Sequence, residues 1–243
     1  MKKLVLFIST NFDKSRVNDN FFNGKYDHLF DEIKIYNEND LPDYIKSNIK
    51  TNIEKYGPRG YGYWCWKPYM ILNELKQLND NDILIHLDAH CFLENIENKL
   101  DEYFELLQTM EKPLLTGYCW IANDLMYTTK NLIAYVEEQL NYKFTYEELK
   151  EKQAESGILF MRKNKFIMNF ISLWDKLLND GIEYISDNYN AKELNYPDFI
   201  DHRHDQSLLS LLCKYYKIPV FKDFNWDDLN RVDGKQISYK ENK

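Results

Sequence analysis

Three stretches, Leu4-Val5-Leu6-Phe7-Ile8, Ile83-Leu84-Ile85-His86-Leu87 and Gly157-Ile158-Leu159-Phe160-Met161, are nearly continuous apolar runs of strand length. Their lack of alternation marks strands covered on both faces. A sheet of such strands needs helices on each side, which constrains the chain to an α/β architecture. The first run is expected to be a parallel strand that opens into a loop at Ser9-Thr10-Asn11. The second is expected to be a central strand ending at Asp88.

Around these runs, Ile33-Lys34-Ile35-Tyr36 alternates as a second short strand. Pro68 suits the first position of a helix whose apolar face carries Ile71, Leu72, Leu75 and Leu78, and Asn79-Asp80-Asn81-Asp82 ends it. Leu93, Ile96, Leu100, Phe104 and Leu107 predict another helix. Leu114 to Tyr118 predicts a strand, and Phe166, Ile167, Phe170, Trp174 and Leu177 a long helix. Leu208, Leu209 and Leu212 predict a helix over 205–216, with a last strand near Pro219 to Phe221. No repeat or low-complexity linker interrupts the pattern. One domain over 1–225, with a mostly parallel central sheet flanked by helices, is expected, and 226–243 reads as a polar tail.

A chain of 243 residues can bury one full-sized core. Its 31 basic against 39 acidic residues give a net charge of -8, and the absence of a basic face argues against a nucleic-acid partner. Aromatic residues make up 16% while Gly and Pro number only 8 and 6, which excludes collagen-like and disordered classes. Cys65, Cys91, Cys119 and Cys213 form no CxxC pair, so reduced thiols in a cytoplasmic protein are expected rather than zinc or disulfides. The run at Leu4 to Ile8 is too short for a signal-peptide core or a transmembrane segment.

Three constellations carry candidate chemistry. In Arg59-Gly-Tyr-Gly-Tyr63-Trp64-Cys-Trp66-Lys67-Pro68, two cations bracket glycines and aromatics. Arg grips phosphate oxygens in pairs, Lys supplies a point charge, and a following helix start offers free N–H groups to an anion. The plain alternative is an aromatic hinge with both cations solvated. Asp88-Ala-His90 follows an apolar strand, at the sheet edge where open α/β folds bind ligands. Both side chains suit a divalent cation, or Asp88 is a helix cap. His202-Arg-His204-Asp205-Gln206 opens a helix: histidines for a metal, Asp205 as ligand or base and Gln206 to orient a hydroxyl, against Asp205 as a cap beside surface histidines. Glu155, in Gln153-Ala-Glu-Ser-Gly157 just ahead of a strand, reads as a carboxylate facing substrate or as an exposed helix-end residue.

Together, these motifs resemble a family of bacterial and viral GT-A-like glycosyltransferases of capsule, lipopolysaccharide and related glycan synthesis. The resemblance runs from about Asn37 to Val220, in order and in spacing. It implies a nucleotide-diphospho-sugar transferase fold that moves a hexose, from a UDP-sugar by the family's habit, to a glycan or glycolipid acceptor. It further implies Mn²⁺ or Mg²⁺ on the donor diphosphate, with Asp88, His90 and His202 as metal ligands. The donor would meet Arg59, Tyr63, Trp66, Lys67, Asp88, Gln153 and His204, and catalysis would draw on Asp205, Glu155 and Gln206. His90 stands where the family's DxD motif has its second carboxylate. Trp64 and Trp66 are candidates for stacking on sugar faces. Membrane contact would be peripheral, through the acceptor.

Two other classes fit parts of the pattern. Asp88-x-His90 with His202-x-His204-Asp205 has the residue types of a two-metal phosphoesterase, without the intervening Gly-Asp and Gly-Asn-His segments. An inactive module that binds nucleotide or glycan would keep the fold and lose the chemistry.

Overall fold

A computed structural model describes residues 1–9, 21–91, 93, 97–221, 231–232 and 235–236. In chain order the elements that frame the site are β1 (Lys2–Phe7), β2 (Glu32–Tyr36), α1 (Asp43–Tyr56), a short turn of helix α2 (Gly60–Tyr63), α3 (Trp66–Gln77) and β3 (Ile83–Leu87). They continue with α4 (Leu100–Thr109), β4 (Leu114–Asn123), α5 (Asp124–Tyr127), α6 (Lys130–Leu140), α7 (Tyr146–Lys150) and β5 (Lys152–Arg162). The last are α8 (Lys165–Asp180), α9 (Ile182–Ile185) and α10 (Asp205–Tyr215).

The sheet has five strands in the order β2-β1-β3-β5-β4. β1 pairs in parallel with both β2 and β3, while β5 runs antiparallel to β3 and to β4. The sheet is therefore mixed rather than mostly parallel. The reversed strand is the apolar run 157–161, which periodicity identifies as a strand without giving its direction. Phe221 adds an isolated parallel bridge at Gly117 in place of the expected last strand.

Alternation along the strands divides the interior into two cores. Leu4, Leu6, Ile83, Ile85, Leu87, Ile158 and Phe160 face α4 and the segment around Tyr26. Val5, Phe7, Leu84, Leu159 and Met161 face the larger cluster built on α1, α3, α6, α8 and α10. The same alternation carries His86 and Asp88 onto the face of Leu84, toward α3 and α10.

Several expectations shift. α3 starts at Trp66, so Lys67 lies inside its first turn and is buried. Leu93 is buried outside any helix and α4 begins at Leu100, while Ile96 lies outside the described residues. Gln153 to Gly157 belong to β5 instead of preceding a strand, and Glu155 is buried rather than an exposed helix end. Of the tail over 226–243, 231–232 and 235–236 form a two-strand pair and the rest lies outside the described residues. No helix among the described residues is long and apolar enough to cross a membrane.

Candidate functional site

Lys67 is the point where the four motif stretches meet. Its ammonium lies 3.3 Å from Asp88 Oδ1, 3.0 Å from Asp205 Oδ2 and 3.3 Å from Ser156 Oγ, with the side chain only 1% exposed. Local structure explains each arrival. Asp88 sits at the carboxyl end of β3, held by its N–H donating to the Gly157 carbonyl at 2.8 Å. Asp205 is the first residue of α10, where a negative charge also suits the helix dipole. Ser156 lies where β5 carries extra residues against β4: Thr116 pairs with Leu159 but Tyr118 with Ala154. Such a bulge bends the strand and re-aims its side chains.

Lys67 itself is delivered by an unusual backbone. Gly60, Tyr61, Gly62, Tyr63 and Trp64 all have positive φ, between 50° and 81°. Each non-glycine residue held there costs about 1–2 kcal/mol. The turn is fixed from several sides. The Tyr63 and Trp64 N–H groups donate to the Arg59 and Gly60 carbonyls at 2.8 and 3.1 Å. Tyr61 and Trp66 both stack on Phe7, and Trp64 stacks on His204. Trp66 also donates its indole N–H to the Gly60 carbonyl at 3.3 Å.

The two carboxylates on Lys67 differ electrostatically. For Asp88, burial alone would raise the carboxyl, but the Lys67 ammonium and the nearby His86 and His90 hold it well below the usual range. Its side chain stays 24% exposed at the mouth of the cluster. Burial pushes Asp205 above the ordinary value despite the pull of Lys67 and a hydrogen bond with Ser156. Lys67 is itself raised: burial works against its charge, and Asp205 and Asp88 outweigh burial. His86, hidden inside an apolar run, lies with Nε2 3.5 Å from Asp88 Oδ1 and Nδ1 3.3 Å from the Val5 carbonyl.

A second polar cluster adjoins the first. Arg59 pairs with Asp187 at 3.1 Å and with Asp201 at 3.5 Å, on a partly exposed rim. The Tyr63 hydroxyl, pushed up to about 12 by burial and by Asp187, lies 2.6 Å from the Tyr56 carbonyl and 3.1 Å from Asp187 Oδ2. His202 and His204 are buried, not surface residues. Burial lowers their pKa values to about 3 and about 4, leaving both rings neutral. His202 donates Nε2–H to the Tyr184 carbonyl at 3.1 Å, and His204 donates Nδ1–H to the Ile185 carbonyl at 2.7 Å.

The remaining candidates spread around these clusters. Gln206 donates to Gln153 Oε1 at 2.9 Å, and the amide of buried Gln153 donates to Asp124 and Thr128. Asp124 also pairs with Lys214, so Gln153 belongs to a buried network under α10. Trp66 is buried against Phe7, Glu155 is buried in β5, and His90 is half-buried in the turn after β3. Sequence reasoning missed His86, Ser156, Asp187 and Asp201. Only Ser156 carried a signal, through its place inside the Gln153–Gly157 motif.

Among the described residues no group of three or more His, Cys, Asp or Glu side chains is arranged to hold a metal ion. Asp88 nevertheless has a ligand atom to offer. Its Oδ1 faces Lys67 and His86, and its Oδ2 has no protein partner among the described residues. His202 commits Nε2 to a backbone carbonyl and lies 3.4 Å from Ser207 Oγ through Nδ1, so it does not fit a ligand role. No family model matches the chain, and no curated protein matches it.

Proposed function

We propose that the chain is a GT-A-like glycosyltransferase that moves a hexose from a nucleotide sugar, a UDP-sugar by the habit of the family it resembles, to a hydroxyl of a glycan or glycolipid acceptor. The observation that carries this reading is the meeting at Lys67 of one residue from each of the other three motifs: Asp88, Ser156 and Asp205. Motifs far apart in sequence that contact one buried ammonium at the carboxyl end of β1 and β3 have the placement of an α/β ligand site.

In this reading Asp88 is the residue that would hold a divalent cation for the donor diphosphate. Mn²⁺ or Mg²⁺ held there would neutralise the charge that grows on the departing nucleoside diphosphate. Arg59, on the exposed rim, adds positive charge for the donor. Asp205 and Glu155, the two carboxylates that the resemblance offers as bases, are both buried, and Asp205 is held on Lys67 at 3.0 Å, so in this reading Asp205 fixes the charged centre instead of meeting the acceptor. Gln206, steadied by Gln153, orients the hydroxyl. Trp64, half-buried beside the site, offers a ring to a pyranose face. Tyr63, Trp66 and His204 hold the left-handed turn that presents Lys67.

A screen of purified protein with Mn²⁺ against a panel of nucleotide sugars, read as released nucleoside diphosphate, tests the proposal. Turnover of at least one donor, stimulated by a glycan acceptor, is the expected result. Asp88→Ala is expected to lower that turnover by about 100-fold or more with unchanged circular dichroism. No release from any donor, or full turnover by the variant, rejects the reading.

A further inference from the structure

We infer that Lys67 is a positioning residue that reserves cation binding for Asp88 alone, its buried ammonium filling the place between Asp88 and Asp205 that a bridging divalent ion would need. The inference rests on the proposed donor cation at Asp88. All three donors of the ammonium are spoken for, by Asp88, Asp205 and Ser156, at 3.0 to 3.3 Å. The side chain is 1% exposed and rises from the first turn of α3, directly after the fixed left-handed turn, so it has no solvent position to swing into.

Charge works in the same direction. An ammonium beside Asp88 Oδ1 repels a second cation from that oxygen and leaves Oδ2 as the one approach. Asp205, 4% exposed behind the ammonium, is screened from the mouth of the site. A divalent ion at this centre would find one protein carboxylate, Asp88, instead of two.

Titration of the full chain with Mn²⁺ alone, followed by water-proton relaxation at neutral pH, tests the assignment. Lys67→Met frees both carboxylates and is expected to bind Mn²⁺ about tenfold more tightly than the unsubstituted protein. Adding Asp205→Asn to that variant is expected to cancel the gain. In the unsubstituted background, Asp205→Asn is expected to leave Mn²⁺ affinity within about threefold, whereas Asp88→Asn lowers it by about tenfold or more. Equal or weaker binding by Lys67→Met overturns the assignment, as does a loss in Asp205→Asn as large as that in Asp88→Asn. The Asp205→Asn and Asp88→Asn pair decides the matter if Lys67→Met does not fold. No sugar nucleotide enters the titration, so a failed donor screen with these affinities intact removes the transferase reading and leaves Lys67 in its role.

Discussion

A buried ammonium costs several kcal/mol unless its partners are in place, and Lys67 has two carboxylates and a hydroxyl to offset that cost. Asp175 on α8 has no ion pair of that kind among the described residues, only a hydrogen bond from Asn179 at 3.0 Å. Burial raises its carboxyl to about 6, with Lys76 and an Asn179 hydrogen bond only partly opposing the shift. The folded chain thus favours the protonated acid. The stability tied to that form is complete below the unfolded value of about 3.9 and is lost as pH rises through about 6. Asp175→Asn cannot ionise, so it is expected to raise the melting temperature by a few degrees above about pH 7 and to change it little near pH 4. Melting curves at the two pH values check this, and equal shifts at both would show that Asp175 does not titrate in the fold.

Among the elements, the left-handed turn over 60–64 carries the most specific requirement. A Cβ on Gly60 would lie 2.3 to 2.5 Å from the Trp64 ring, at a φ of +56°. Gly60→Ala is expected to cost about 2 kcal/mol or more and to displace Trp64 from His204, which denaturant unfolding and tryptophan fluorescence would register. A wild-type midpoint with unchanged fluorescence would mean that the turn relaxes freely. Tyr-Gly-Tyr-Trp announces a close-packed glycine segment, but its handedness comes from stacking on Phe7 and His204, which no local pattern contains. β1, β3, α8 and α10 were readable because buried strands lack alternation and amphipathic helices repeat every third or fourth residue. α1 and α6 were legible in principle, through Ile45 and Ile49 and through Leu132, Ile133 and Val136, but charged neighbours dilute both stripes. The direction of β5 was not readable, because it depends on which strands flank it. Three motifs could be aligned at the site from sequence, while His86 was masked by the apolar run around it.

Across the whole molecule, the reversed strand shapes the site more than any other feature. Ile158 of β5 lies opposite Leu87, where β3 ends, so the residues of β5 before it overhang β3 and reach the sheet edge that collects Asp88 and the start of α10. Both cores depend on the same strand: Leu159 and Met161 enter one, Ile158 and Phe160 the other. The charged centre is therefore assembled only when both halves of the chain have docked. Residues up to Asn141 supply the ammonium and the first aspartate; those after it supply the serine and the second. A gene divided behind α6 would yield two polypeptides, each carrying half of an ionic lock. Donor turnover, the activity proposed above, is expected from neither piece alone and to return only when partners fused to the two pieces associate, which would make the pair a reporter of that association.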